Sequence, residues 1–300
     1  MLQPYLPQNE NIQVFVGDRL YHRSEAKVSV FDSSVQGGDA VWEGLRLYNG
    51  KIFCLSRHLM RLQESAKALH FVAVPEVQTI RRAIAATLKA NGMDDGVHIR
   101  LTLTRGEKVT SGMDPRLNTK GPNLIVLAEW KPLVYDNAKG ISLITSAIRR
   151  NNPGYLDSKI HHNNLLNNIL AKIQANVAGM DAALMLDDRN FVSETNDANI
   201  FMVRNGKLIT PFADACLHGI TRGLVLELAA ENGIDATEKN ISLTEMYNAD
   251  EVFCCGTMGE LTPVKFIDGR LIENHSGNSV TAVLSNALKS KIPLLSESVD

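Results

Sequence analysis

Three short stretches of the sequence could carry chemistry. Residues 219–222 (Gly-Ile-Thr-Arg) open a predicted helix, and the free amides and positive dipole end of a helix suit a phosphate. Residues 256–259 (Gly-Thr-Met-Gly) follow a predicted strand, so their amides and the Thr257 hydroxyl could surround an anion. Lys159 lies after a turn cluster and before an amide-rich helix. Its amine becomes a nucleophile or base only when its pKa is lowered.

Each stretch also has an ordinary structural interpretation. From spacing alone, N-capping by Thr221 and a simple glycine turn at 256–259 are preferred over anion sites. A single lysine is usually solvated. The adjacent His161 and His162 lack the i, i+4 spacing of a helical metal pair, so no metal site is predicted. The sequence has no dinucleotide, nucleotide-triphosphate, zinc-protease or serine-hydrolase motif.

The composition excludes several classes of protein. The chain is 44% hydrophobic and 21% charged with a net charge of −2, which is typical of a globular protein without a basic face for nucleic acid. No signal-like or bilayer-length apolar run is present, so we expect no membrane association and a cytoplasmic location. The 4 cysteines fit neither a zinc site nor a disulfide framework and are predicted to be buried thiols.

The elements that position these stretches are strands and helices without strict alternation. Asn49-Gly50 predicts a two-residue hairpin turn, and Ser56 is predicted to cap the helix that follows. Further strands are predicted at 97–104, 123–129, 141–145, 182–186, 191–193, 200–204, 207–210 and 251–255, and helices at 75–91, 163–177, 222–232 and 280–288. This mixture predicts an α+β fold in two domains.

We expect a smaller N-terminal α+β domain over residues 1–129, an interdomain linker over 130–140 and a larger C-terminal domain over 141–300. The loop 106–121, rich in Gly, Pro, Asp, Asn and Thr, exceeds ordinary connections and is typical of a lid or pocket wall. A ligand site is expected between the two domains, a common position for such sites.

Several segments resemble one enzyme family in order and spacing. They are WEGLR at 42–46, DSK at 157–159, SET at 193–195 with NIF at 199–201, GITR at 219–222, and GT at 256–257 with ELTPV at 260–264. Together they resemble the fold-type IV pyridoxal-phosphate enzymes, which include branched-chain amino acid aminotransferases, D-amino acid and (R)-amine transaminases, and aminodeoxychorismate lyase. The resemblance extends over most of the chain.

The resemblance implies a D-amino acid aminotransferase-like fold with pyridoxal phosphate between the domains. Lys159 would form a Schiff base with the cofactor and then move the proton between substrate and cofactor. Glu194 would face the pyridine nitrogen and keep it protonated. The remaining cofactor contacts implied by the resemblance are those of Arg61, Asn164, Ile220, Thr221 and Thr257. Without the resemblance, Arg61 and Glu194 would be interpreted as exposed charges.

The WEGLR stretch resembles the branched-chain branch of the family. Alternation along strand 97–104 puts His98 and Arg100 on one face, and the resemblance implies that Arg100 binds the distal carboxylate of glutamate. The Thr257-Met258 turn would lie near the substrate carboxylate. The implied substrates are an amino acid and a 2-oxo acid, in a homodimer or higher homo-oligomer. The ordinary alternative for Arg100 is a surface cation on a half-exposed strand.

Some residues depart from the branched-chain pattern and leave the substrate open. His98 and Asn164 stand where tyrosines are usual, and Met258-Gly259 replaces a pair of small residues. Residues 103–106 (LTRG) look more like the D-amino acid and (R)-amine branches, although the following loop lacks their Arg-x-His pair. Two rival functions are a lyase that forms pyruvate without an acceptor and a non-catalytic protein that binds the cofactor.

Overall fold

The described residues form two compact units. The computed structural model describes residues 4–275 and 277–299. The C-terminal unit comprises Leu133–Lys159 and Leu165–Ile292, and the N-terminal unit comprises residues 160–164 together with the described parts of 2–132 and 293–300. The chain therefore enters the N-terminal unit directly after Lys159 and leaves it before Leu165.

The N-terminal unit is built on an antiparallel sheet, and the part of the chain that the structure describes contributes seven strands to it. The strands are β1 (Gln13–Val16), β2 (Arg19–His22), β3 (Ala40–Tyr48), β4 (Lys51–Phe53), β5 (Val97–Thr104), β6 (Asn123–Trp130) and β16 (Ser296–Glu297). Their order across the sheet is β16-β4-β3-β5-β6-β1-β2. The helices are α1 (Ser33–Gly37), α2 (Leu55–Ala68) and α3 (Val77–Asn91). Apolar residues of α2 and α3, such as Leu59, Leu62 and Ile84, pack with one face of the sheet to form the core.

The hairpin and strand predictions in this unit are confirmed, whereas one helix cap is wrong. Asn49 and Gly50 both have positive φ, as the two-residue turn between β3 and β4 requires. Ser56 does not cap α2, which begins at Leu55 with Cys54 at the N-cap. The Ser56 amide and hydroxyl instead donate to Glu297, at 2.8 and 2.5 Å. A carboxylate distant in sequence outcompetes the local cap.

The C-terminal unit is built on a mixed sheet, with nine strands in the residues the structure describes. They are β7 (Ile141–Arg149), β8 (Ala182–Leu186), β9 (Val192–Thr195), β10 (Asn199–Arg204), β11 (Lys207–Thr210), β12 (Ala236–Glu238), β13 (Glu251–Gly256), β14 (Glu260–Ile267) and β15 (Arg270–Leu271). The order is β12-β11-β10-β13-β14-β7-β8-β9, with β15 beside β14. The parallel pairs are β7 with β8, β7 with β14, and β11 with β12.

The helices of this unit differ from the predictions mainly at their ends. They are α4 (Leu166–Val177), α5 (Ile220–Glu231), α6 (Leu243–Tyr247) and α7 (Val280–Leu295). Helix α4 starts later than predicted because residues 160–164 belong to the other unit, where the Asn163 amide bonds Ala40 O at 2.8 Å. Helix α5 starts earlier, with Gly219 at the N-cap and no capping side chain. The interpretation of Thr221 as an N-cap is therefore wrong.

The two sheets, with helices unevenly distributed among their strands, confirm the α+β class. Of the helices in the described residues, none is long and apolar enough to cross a membrane. The four cysteines are buried and unlinked, as predicted.

Candidate active site

The first turn of α5 carries a buried hydroxyl group, that of Thr221. Thr221 is buried, and its Oγ1 has no hydrogen-bond partner among the described residues. The amides of Ile220 and Thr221 belong to the first turn, where a helix supplies no acceptor of its own. A buried hydroxyl left unpaired is costly. These donors therefore suit an anion at the positive end of the helix dipole.

The start of α5 is tied to Glu194 through Asn199. A Cβ atom on Gly219 would lie 2.0 Å from Asn199 Oδ1, so only glycine allows this approach. The Asn199 amide Nδ2 donates to Glu194 Oε2 at 3.1 Å and to Leu217 O at 2.9 Å. The Asn199 side chain thus contacts the start of the helix, the preceding loop and the Glu194 carboxylate, and it fixes their relative positions.

Glu194 itself is a buried carboxylate on β9. Arg150 Nε donates to its Oε1 at 2.5 Å, and the Leu217 amide donates to its Oε2 at 3.3 Å. Burial raises the pKa of Glu194, and Arg150 opposes that rise. A carboxyl group with a raised pKa holds a proton more readily than an ordinary one. Sequence reasoning missed Arg150, although an arginine directly before the turn cluster at 151–154 was a signal that could have found it.

Lys159 lies in the loop after β7, separately from this network. Its Nζ is 3.0 Å from Asp157 Oδ1 and donates to Asp214 O at 3.4 Å. The side chain is 35% exposed. The amine is therefore held at two acceptors yet stays open to solvent on part of its surface.

The predicted turn at 256–259 connects β13 and β14. Gly256 pairs with Glu260, so Thr257 and Met258 lie at the tip of the hairpin. Met258 O accepts from the Val134 amide at 3.1 Å. Asn137 Nδ2 donates to Gly259 O at 2.9 Å, which fixes the turn on the residues that precede β7.

Arg61 is part of a buried cluster in the N-terminal unit. It extends from α2 and donates from Nε and Nη2 to Glu43 at 2.8 and 2.6 Å. The Nδ1 atoms of His58 and His161 lie 2.6 and 3.2 Å from the same carboxylate. Burial favours the neutral acid, but His161 and Arg61 outweigh it and lower the pKa of Glu43 well below its usual value. Arg61 is thus already engaged by an ion pair, and its contact with phosphate stays a prediction.

Arg100 and His98 share the sheet face turned away from α2 and α3, as alternation predicted. The Arg100 guanidinium lies over the Trp42 ring at 3.4 Å and donates from Nη2 to Asn163 Oδ1 at 2.7 Å. Burial lowers the pKa of Arg100 to about 10, so it remains charged at neutral pH. Burial, with the nearby Lys131 and Arg100, lowers the pKa of His98 to about 3, which leaves its imidazole neutral.

The candidate residues divide between the two units. The C-terminal unit contains Lys159, Glu194, Ile220, Thr221, Thr257 and Met258, and the N-terminal unit contains Arg61, His98, Arg100 and Asn164. Within the first group the structure links Glu194 to the start of α5. Within the second, Asn164 is exposed and lies beside Gly38, 3.6 Å from the position of a Cβ atom built there.

Comparison with known families assigns the class of the protein. The model of the family described as "Amino-transferase class IV" matches residues 40–267. The chain belongs to this family, as the sequence predicted.

Individual relatives agree with that class. "Branched-chain-amino-acid aminotransferase-like protein 2" of Arabidopsis thaliana is 58% identical over 284 residues, covering 95% of this chain and 51% of the relative. The chain thus spans about half the length of the Arabidopsis relatives. The "Putative branched-chain-amino-acid aminotransferase" of Methanocaldococcus jannaschii is 39% identical over 279 residues, covering 93% of this chain and 96% of the relative.

A solved structure confirms the expected type IV architecture. The T.th. branched-chain amino acid aminotransferase complexed with N-(5'-phosphopyridoxyl)-L-glutamate superposes with a TM-score of 0.88. It is 29% identical in sequence, and the match covers 97% of this chain and 99% of that one.

Proposed function

We propose that this protein is a pyridoxal-phosphate-dependent transaminase that moves an amino group between an amino acid and a 2-oxo acid. The observation that carries the proposal is the buried hydroxyl of Thr221 at the start of α5, which bonds to none of the described residues. It lies in the unit that also holds Lys159 and Glu194. The family supports it, and so does the N-(5'-phosphopyridoxyl)-L-glutamate complexed with the solved relative.

The residues present fit this cofactor. The Thr221 hydroxyl, the first amides of α5 and the Thr257 turn would bind the phosphate, because backbone donors and a helix start favour an anion. Arg61 is a further proposed phosphate ligand, although its Nε and Nη2 donate to Glu43. Asn164, which is exposed, would donate to the phenolic oxygen.

Glu194 and Lys159 would do the proton chemistry. The bound cofactor supplies a ring that accepts electrons from the substrate Cα. Glu194 would hold a proton at the ring nitrogen, and its contacts with Asn199 and Arg150 orient the carboxylate for that task. Lys159 would bind the cofactor aldehyde and, once released, move the proton between Cα and the C4′ carbon. Asp157 and the Asp214 carbonyl hold its amine in place.

The proposed substrates are branched-chain L-amino acids and glutamate with their 2-oxo acids. Arg100 supports glutamate, because no carboxylate of the described residues lies within ion-pair distance of this partly buried cation. Neutral His98 could donate a further hydrogen bond beside it, since its Nε2 has no partner among the described residues. The Thr257-Met258 turn would face the substrate α-carboxylate.

The alternatives from the sequence are separated by a half-reaction panel. Purified protein loaded with pyridoxal phosphate is mixed with L-leucine, L-glutamate, D-alanine or (R)-1-phenylethylamine, and loss of the visible cofactor band is followed. Reaction with the two L-amino acids alone supports the proposal. Reaction with D-alanine or the (R)-amine would move the protein to those branches. Repeated turnover of aminodeoxychorismate to pyruvate with no 2-oxo acid present would make it a lyase.

The proposed covalent residue is tested by peptide mapping. Borohydride reduction of the loaded protein should fix the cofactor on the peptide that contains Lys159, and Lys159→Ala should lower turnover by about 10²-fold or more. Lys139→Ala is the matched control, because that side chain is 78% exposed and its ion pair with Asp136 is long, at 3.8 Å. A modified peptide with another lysine, or normal turnover in Lys159→Ala, would refute the proposal.

We also propose a homodimer or a larger homo-oligomer. The exposed side of α4 supports it, because Leu166, Ile169, Ile173 and Val177 recur at helical spacing and are all exposed. Contiguous exposed apolar surface marks association sites. Light scattering of Ile169→Lys with Ile173→Lys against the parent protein tests this, and an unchanged assembly mass would place the interface elsewhere.

A further inference from the structure

Arg100 is held by a rigid aromatic partner. The guanidinium carbon lies 3.4 Å from the Trp42 ring centroid, which is stacking distance. Trp42 is itself fixed, because its indole Nε1 donates to His162 O at 3.1 Å and its amide donates to His161 O at 2.9 Å. The His161 ring packs 4.1 Å from the Trp42 ring. The plane of the guanidinium is therefore set by an indole that cannot easily turn.

A second contact fixes the rotation of the guanidinium in that plane. Nη2 of Arg100 donates to Asn163 Oδ1 at 2.7 Å. Asn163 is anchored by its backbone amide, which donates to the backbone oxygen of Ala40 on β3 at 2.8 Å. A planar fork that is stacked on one ring and bonded at one nitrogen has little orientational freedom left.

The remaining donors of Arg100 are available to a ligand. Within residues 4–275 and 277–299, its Nε and Nη1 bond to no protein group, and neither is sealed from solvent. The neighbouring carboxylate of Glu43 is already bonded to Arg61. A partly buried guanidinium with free donors and only a neutral amide as its partner matches a ligand carboxylate, which accepts two parallel hydrogen bonds from such a fork.

We propose that Trp42 and Asn163 are positioning residues that orient the Arg100 guanidinium toward the second carboxylate of a dicarboxylic substrate. The inference rests on the proposed function, in which Arg100 receives the distal carboxylate of glutamate. The inference adds that discrimination between dicarboxylic and monocarboxylic substrates depends on the Trp42 ring and on the neutral side-chain amide of Asn163. A neutral partner orients Arg100 without neutralising its charge.

Competitive inhibition by two matched acids tests the proposal on the protein loaded with pyridoxal phosphate. Glutarate and pentanoate have the same chain length and differ by one carboxylate. Trp42→Leu and Asn163→Ala should raise the inhibition constant of glutarate by about 10-fold, the effect of one charge-assisted hydrogen bond, and leave that of pentanoate within about twofold. In turnover, KM for L-glutamate should rise while kcat and KM for L-leucine change little.

Two conservative variants separate positioning from general damage. Trp42→Phe keeps an aromatic face and should recover most of the glutarate affinity. Asn163→Asp gives Arg100 a permanent carboxylate, so glutarate should bind more weakly than in Asn163→Ala. Trp130→Leu and Asn91→Ala are matched controls on the same unit, because Trp130 packs against the core and Asn91 bonds Gln13. They should change stability without changing the ratio of the two inhibition constants.

Arg100→Met distinguishes a failure of the inference from a failure of the proposed function. Suppose that Arg100→Met weakens the binding of glutarate but not of pentanoate, whereas the Trp42 and Asn163 variants show no such selectivity. The positioning role is then wrong and the role of Arg100 stands. Equal changes for both acids would also overturn the inference. If Arg100→Met binds glutarate normally, the distal-carboxylate site is elsewhere and the inference fails with it. A protein inert toward every amine in the half-reaction panel would overturn the transaminase itself.

Discussion

Each unit contains a buried glutamate paired with an arginine, and the pKa values of the two carboxylates are shifted in opposite directions. Glu43 in the N-terminal unit is fully buried and accepts hydrogen bonds from Nε and Nη2 of Arg61. Two histidines lie beside it. Its pKa is well below the usual value. Glu194 in the C-terminal unit receives Arg150 through a single nitrogen, and its pKa is raised.

The difference lies in how completely the protein satisfies each carboxylate. Around Glu43 the donors form a closed set that compensates burial and favours the ionised form. Around Glu194 the neutral Asn199 amide and the Leu217 amide provide the remaining contacts, and burial dominates. A saturated carboxylate is suited to fixing α2 on its sheet. An incompletely compensated one is suited to sharing a proton with a ligand.

The largest effect expected is on the folding stability of a Glu43→Gln variant. Removing the charge leaves the Arg61 guanidinium, which is 13% exposed, without its partner. Breaking a buried ion pair in this way costs about 3–5 kcal/mol. Urea unfolding measures it, with Glu107→Gln as the control, because the Glu107–Lys120 pair is exposed and should contribute less than about 1 kcal/mol. Equal losses in the two variants would remove the distinction drawn for Glu43.

Sequence reasoning predicted the elements of both regions better than their contacts. Strand β5 has the predicted bounds because its period-2 alternation is local information. The Glu43–Arg61 pair joins residues on a strand and a helix, and nothing in the spacing of the sequence specifies it. The same holds for Arg150 with Glu194, separated by 44 residues. The false cap at Ser56 has the same origin, since Glu297 is 241 residues away.

The next effect is on catalysis by a Glu194→Gln variant. An amide cannot hold a proton at the ring nitrogen of the proposed cofactor, so turnover should fall by about 10²-fold, the lower end for a lost proton-holding group. The variant should still bind pyridoxal phosphate, because the phosphate contacts lie at the start of α5. Single-turnover rates with L-leucine measure the loss. Normal rates together with retained cofactor would show that Glu194 has a structural role like that of Glu43.

The opposite pKa shifts predict opposite pH dependences of stability. The pKa of Glu43 is lowered from the usual value of 4.5, so its contribution is present above that pH and is lost as pH falls through the folded-state value. The pKa of Glu194 is raised, so its contribution is present below 4.5 and is lost as pH rises through the folded-state value. A tenfold change in the proton affinity of a carboxylate on folding corresponds to about 1.4 kcal/mol of stability.

Unfolding free energies of the parent, Glu43→Gln and Glu194→Gln proteins between about pH 3 and about pH 8 test these signs. The stability advantage of the parent over Glu43→Gln should shrink toward acid. The stability of the parent relative to Glu194→Gln should decline toward neutral pH. Difference curves with the same slope would contradict the contrast between the two carboxylates.

The smallest effect expected concerns Thr221. Its hydroxyl is a neutral group to which the same comparison applies, between polar groups that the protein satisfies and those that it does not. Thr221→Val keeps the shape of the side chain and removes a buried Oγ1 that no described residue satisfies. Stability without cofactor should therefore stay equal or rise, because the unpaired group costs free energy in the folded state. Affinity for pyridoxal phosphate should fall about fivefold, or about 1 kcal/mol, when one hydrogen bond to the phosphate is lost. Fluorescence titration and thermal unfolding measure both quantities. Lower stability with unchanged affinity would mean that this hydroxyl serves the fold, as the donors around Glu43 do.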